Sequence, residues 1–273
     1  MKESNNRLVI GGLVAAVIIA GLAYYFWPKS EPEAPAAAPA VAKTEPEAAP
    51  NYPVPPPKAD APPLPSLDDS DGVLADAITA LIGAEGVQNF LVKSDIARHI
   101  VVTVDNLPRK KVAERLKPVK PITGKFLVSG PEGAQTIAAD NAARYNSAVH
   151  LLESVDTRAL AQSYFKMYPL LQKAYVDLGY PNGYFNNRLV EVIDHLLATP
   201  DVQGPIQVVQ PNVLYEFADP RLEALSSGQK VLLRMGPQNA AVVKRKLREL
   251  REAVAGKTPG FSRPNFRSPM FLG

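Results

Sequence analysis

Apolar residues recur at helical spacing over most of the chain beyond residue 70. Val73, Leu74, Ile78, Leu81 and Ile82 share one face, with Ser70 or Asp71 placed to cap its start and Gly83 to stop it. Ile96, Ile100, Val101 and Val104 follow Ser94-Asp95 and end at Asn106-Leu107-Pro108, since the residue before a proline is pushed out of the helical region. Residues 140–155 place Ala143, Val149, Leu151 and Leu152 toward a core. Asp156 caps a helix predicted over 157–178, interrupted at Pro169 and closed by Gly179, and Asn186 or Asn187 caps the next, which carries Leu189, Val190, Ile193, Leu196 and Leu197. Two last helices are predicted near 227–235 and 238–253, the second with the stripe Val243, Leu247, Leu250 and Val254. Residues 123–130 read as a short strand or extended loop. Residues 206–209 and 213–217 have β composition around Pro211-Asn212 and predict a small hairpin. The expected fold is mainly α with a minor β-hairpin.

The first 66 residues follow other rules. Residues 8–27 carry no charge and as a helix run about 30 Å, the thickness of a bilayer core. Tyr24, Tyr25, Phe26 and Trp27 fall at the end of that span, where amphipathic rings favour the headgroup layer, and Pro28 stops it. Lys2 and Arg7 precede the span, which places the N-terminus in the cytoplasm and the rest outside it, the periplasm of a two-membrane bacterium. Gly12, Ala16 and Ala20 lie at four-residue spacing on one face, a pattern that permits self-association. Residues 28–66 are built mainly of Pro, Ala, Glu and Lys without apolar period, a linker that at about 3.1 Å per residue extends of the order of 100 Å. The expected division is a cytoplasmic N-terminus (1–7), a transmembrane helix (8–27), a disordered linker (28–66), a helical domain (67–255) and a disordered basic tail (256–273) containing Phe261, Phe266 and Phe271.

Composition narrows the chemistry. The 273 residues include no cysteine, which excludes disulfides, thiolate metal sites and a thiol nucleophile. The formal charge of +3 hides two basic stretches on an otherwise acidic chain. One holds Arg109, Lys110, Lys111, Arg115, Lys117 and Lys120 against Glu114. The other, past residue 239, includes Lys244, Arg245, Lys246, Arg248 and Arg251 against Glu249 and Glu252. Arg109, Lys110, Lys111, Lys244, Arg245, Lys246 and Arg248 are therefore the candidate surface for an anionic partner, beside the plainer reading of a solvated face on a docked helix.

Other signals are weaker. Glu191 and His195 share a helix face but read as an ordinary intrahelical pair, so neither a metal nor a cofactor is expected. Asp68-Asp69-Ser70-Asp71 lies at a helix start, where carboxylates favour the dipole. Gly130-Pro131-Glu132-Gly133 lacks the Gly-Lys-Ser/Thr ending of a phosphate loop and reads as a turn. Arg144, Arg188 and Asp194, polar within apolar helices, are candidates for buried ion pairs.

Residues 64–71 (LPSLDDSD), 104–109 (VDNLPR), 168–175 (YPLLQKAY), 193–197 (IDHLL) and 233–239 (LRMGPQN) together resemble the bacterial domain of unknown function DUF3014. The resemblance implies one domain in an envelope setting and supplies no activity. The expected function is that of a non-enzymatic, single-pass inner-membrane protein presenting its helical domain to an envelope protein, cell-wall polymer or anionic lipid, with no nucleic acid. The alternative is a wall-directed hydrolase using Glu153, Glu191 or Glu216 as its carboxylate.

Overall fold

The computed structural model describes residues 49–57, 62–110, 118–120, 124–212 and 214–255. The expected span at 8–27 with Gly12, Ala16 and Ala20, the tail 256–273 and Lys111 lie outside the described residues. Among the described residues no helix is long and apolar enough to cross a membrane.

Helix α1 (Asp71–Phe90) leads into α2 (Ile96–Asn106). Ser70 does not cap α1; its hydroxyl turns back to the Leu67 carbonyl at 2.7 Å. Asp71 instead accepts from the backbone N–H groups of Asp95 and Ile96, both at 2.8 Å, and so caps α2 from a distant part of the chain. Gly83 kinks α1 and does not end it: the residue takes φ 73 and ψ 167, a conformation open to glycine. Burial of Gly86 and Val87 carries the helix on to Phe90.

The single helix expected over 140–155 is two elements, a 3-10 helix (Ala139–Tyr145) and α3 (Asn146–Ser154). Asn141, fully buried, is held by the Leu127 N–H and the Arg234 carbonyl, at 3.1 and 2.9 Å, which pins the first turns. Ala143 is consequently exposed and Tyr145 and Ala148 face the core. Helix α4 (Thr157–Asp177) is capped by Asp156, whose carboxylate accepts from the Ala159 N–H at 2.7 Å. It runs unbroken through Pro169, which sits on the exposed side, where water can satisfy the carbonyl left without an amide partner. Helix α5 (Phe185–Leu197) begins before Asn186 and Asn187, so neither is its cap. A short α6 (Pro220–Glu223), not expected from periodicity, starts at Asp219-Pro220. It is followed by α7 (Ser227–Arg234) and α8 (Pro237–Val254).

The apolar stripe of α8 is its organising feature. Val243, Leu247, Leu250 and Val254 are between 0 and 3% exposed, and α8 packs on α3, α4, α5 and α7 while α4 packs on α1, α2 and α5. A cavity of about 20 Å³, lined only by aliphatic side chains of α2, α5 and α8, lies inside this bundle.

Four two-residue strands form a satellite. Strands β1 (Val128–Ser129) and β2 (Thr136–Ile137) pair antiparallel, as do β3 (Val208–Val209) and β4 (Glu216–Phe217). The second pair is the expected hairpin. Backbone bonds from Ile137 to Ile206 and from Val208 to Gln135, each 2.9 Å, join the two pairs. Val208, Phe217 and Leu233 form a second small core there. Over it Arg234 is buried, 5.1 Å from the Phe217 ring and 6.0 Å from that of Phe126, a cation–π arrangement on two faces.

Candidate functional site: a basic helix and a buried ionic cluster

Helix α8 holds four of the candidate cations, and the geometry shows how they are used. The Lys244 ammonium is buried and donates to the Thr199 carbonyl at 2.6 Å and to Asp201 at 2.7 Å. Lys246 donates to the Val155 carbonyl at 2.8 Å and pairs with Glu249 at 3.3 Å. Thr199 and Val155 stand just past the ends of α5 and α3, so each lysine meets unsatisfied carbonyls at the negative end of a helix dipole. Arg245 pairs with Glu153, and Arg251 with Asp194 at 2.5 and 2.9 Å. Arg248 is exposed. Lys244 and Lys246 are thus absorbed into the domain, while Arg245 and Arg248 stay at its surface.

The other candidate cations border a second arrangement. Asp105, at the end of α2, is buried to 3% exposure, yet its carboxylate accepts from Arg109 at 2.6 Å and from Arg188 Nε at 2.9 Å. Arg188 also donates to the Asp105 carbonyl at 2.9 Å and pairs with Glu191 at 3.1 Å. The Tyr180 hydroxyl donates to the same carboxylate at 3.3 Å and accepts from Arg109 at 3.1 Å. Burial works against the Arg188 charge, but Asp105 and Glu191 outweigh it and raise its pKa. Tyr175, stacked on Tyr180 with centroids 4.5 Å apart, is pushed well above the usual phenol range by burial and by the Asp105 charge. Arg109 is half exposed at the rim and Lys110 is exposed beside it.

One turn beyond Glu191, His195 Nε2 lies 2.8 Å from the Ser226 hydroxyl. Burial, and then the Arg188 charge, lower the His195 pKa, so the imidazole is neutral near pH 7. A serine beside a neutral imidazole has the elements of a nucleophile and base. Here, however, Ser226 is the N-cap of α7, in a reciprocal box with Gln229. The next two N–H groups donate to the carbonyls of Arg109 and Leu107 at 2.9 and 3.0 Å. The donors that would stabilise an oxyanion are spent on docking α7 to the end of α2.

A family model described as a protein of unknown function, DUF3014, matches residues 96–251, more than half of the 273-residue chain. The chain belongs to the DUF3014 family. The match runs from the first residue of α2 to Arg251 near the end of α8, so it takes in the ionic cluster and the basic helix. No curated protein and no solved structure matches this DUF3014 chain.

The remaining candidates do not converge. Glu153 on α3 and Glu191 on α5 are each paired with an arginine, and Glu216 is exposed on β4. Among the described residues no group of three or more His, Asp or Glu is placed to hold a metal. Asp68 pairs with Arg98 at 2.5 Å and Asp69 accepts from Ser66 at 2.7 Å, so with Asp71 this acidic run ties down the start of the domain. Residues 130–133 form the turn between β1 and β2. Tyr52, inside the expected linker, packs on the main core; its one mark in the sequence is that it stands as a lone aromatic in a Pro/Ala stretch.

Proposed function

We propose that this DUF3014 protein is a non-enzymatic, single-pass envelope protein that holds a helical interaction domain off the bacterial inner membrane, domain outward, and offers it to an acidic envelope protein or cell-wall polymer. The observation that carries the reading is where the chain enters and leaves the domain. The Asn186 side-chain amide donates both to the Tyr52 carbonyl at 2.9 Å and to the Val254 carbonyl at 3.0 Å. The incoming linker and the outgoing tail therefore meet at one pole, which suits a domain tethered at one end with its other faces free. The contact surface on this reading is the exposed cation set Arg109, Lys110, Arg245 and Arg248, since Lys244 and Lys246 are taken up internally.

The test is site-specific photocrosslinking in intact cells from position 248, with position 166 on another exposed surface as control. Capture of one envelope protein or wall fragment from position 248 only, lost with Arg245→Glu, supports the proposal. Equal capture from both positions, or cleavage of peptidoglycan by the purified protein, refutes it.

A further inference from the structure

Residues 50–54 lie along the domain with alternate side chains inward: Pro50, Tyr52 and Val54 are half-buried, and Asn51, Pro53 and Pro55 are exposed. The contact is specific. The Tyr52 N–H donates to the Asn187 side-chain oxygen at 3.1 Å, and the Tyr52 carbonyl accepts from Asn186 at 2.9 Å. Two adjacent asparagines on the first turn of α5 thereby satisfy both backbone groups of one residue, as a neighbouring strand would. Asn186 is fully buried, both its amide N–H groups are used, and its oxygen accepts from the Tyr164 hydroxyl at 2.9 Å. The Arg251 guanidinium on α8 has its pKa raised chiefly by Asp194, and the Tyr52 phenol adds to that. The flanking prolines hold the segment extended before it docks, so little conformational freedom is lost.

We propose that the groove between the first turn of α5 and the end of α8 is a peptide-binding site for an extended segment with tyrosine followed by proline, filled here by the chain's own residues 50–54. The strap is a ligand in cis. Sixteen residues, 55–70, connect it to α1, which gives it an effective concentration of roughly millimolar order. A free peptide of the same chemistry has to displace the strap, so it binds the intact chain far more weakly than a chain whose strap is weakened.

The probe is a fluorescein-labelled synthetic peptide with the sequence of residues 47–57, titrated by anisotropy against the full chain in detergent. The expected result is saturable binding to the Tyr52→Ser chain at a concentration at least tenfold lower than to the wild-type chain. Binding should be lost when the peptide itself carries serine for tyrosine. Equal binding to both chains, or none to the Tyr52→Ser chain at millimolar peptide, overturns the proposal. If Tyr52→Ser does not fold, Asn187→Ala in the otherwise native chain replaces it, read by hydrogen exchange. Faster exchange at the Tyr52 amide with α5 unchanged supports the clamp, and unchanged exchange at Tyr52 refutes it.

Discussion

Asp105→Ala tests whether the ionic cluster is a joint of the fold. The carboxylate is 3% exposed and takes charge-assisted bonds from two guanidinium groups. Removing it strands Arg188, whose side chain is 24% exposed, among groups that no longer offset its burial. Breaking such a pair costs about 3–5 kcal/mol when both partners are fully buried. Partial exposure of Arg188 and the surviving Glu191 contact bring the expectation toward about 3 kcal/mol. For a domain of this size that is a fall in Tm of roughly 6–12 °C. Thermal unfolding followed by circular dichroism measures it. Arg188→Ala alone should cost a similar amount, and the double variant about the same as either single, because one interaction is counted twice. A loss under about 1 kcal/mol for Asp105→Ala, or a double variant equal to the sum of the singles, refutes the reasoning.

Three further expectations follow from the same contacts. Gly228→Ala should destabilise by about 1–3 kcal/mol, because a Cβ there would stand 2.6 Å from the Leu196 methyl and 3.1 Å from the Leu107 carbonyl; a denaturant midpoint unchanged from wild type counts against that packing. Lys244→Met should cost about 1–3 kcal/mol by leaving the buried Thr199 carbonyl unpaired, whereas Asp201→Asn, at an exposed end of the same bridge, should change the midpoint little. His195 has a folded pKa below its unfolded one, so the unfolded chain binds more protons in the window beneath about pH 7. Stability should therefore fall as pH drops from about 7 to 5, and His195→Gln should flatten that slope; an unchanged slope refutes the assignment.

The helices were legible because their inward positions repeat at 3.6 residues. The α8 stripe is buried as its spacing requires. Their ends were less legible, because distant residues decide them. Asp71 caps α2 across 25 positions, and Asn186, which reads locally as a cap, bonds instead to residues 52, 164 and 254. The charge pattern of the last helix was visible, but a count of lysines cannot separate a solvated face from one that caps neighbours. Lys244 and Lys246 are set apart from Arg248 by the carbonyls just past the ends of α5 and α3 and by their partners Asp201 and Glu249. Asp105 stands in a recognisable run of sequence, yet its burial goes with the Arg188 that α5 lays beside it.

The five segments that carry the family resemblance fall at joints. Residues 64–71 supply the cap of α2 and the Asp68–Arg98 pair. Residues 104–109 hold Asp105 and the two carbonyls that receive the start of α7. In 168–175, Gln172 bonds to the Gly183 carbonyl and the Phe185 N–H and so fixes where α5 begins, at 2.7 and 2.8 Å. Residues 193–197 contribute Asp194 to Arg251 and His195 to Ser226. In 233–239, Asn239 reaches the Ala142 carbonyl at 3.0 Å. Each is a polar group whose partner lies on another element, so each fixes register where apolar packing alone tolerates sliding. A sequence signature made of such residues identifies an architecture. On the reading proposed above, function is carried by surfaces that these joints leave free, which in this chain include Arg245 and Arg248 of α8 and the strap beside its end.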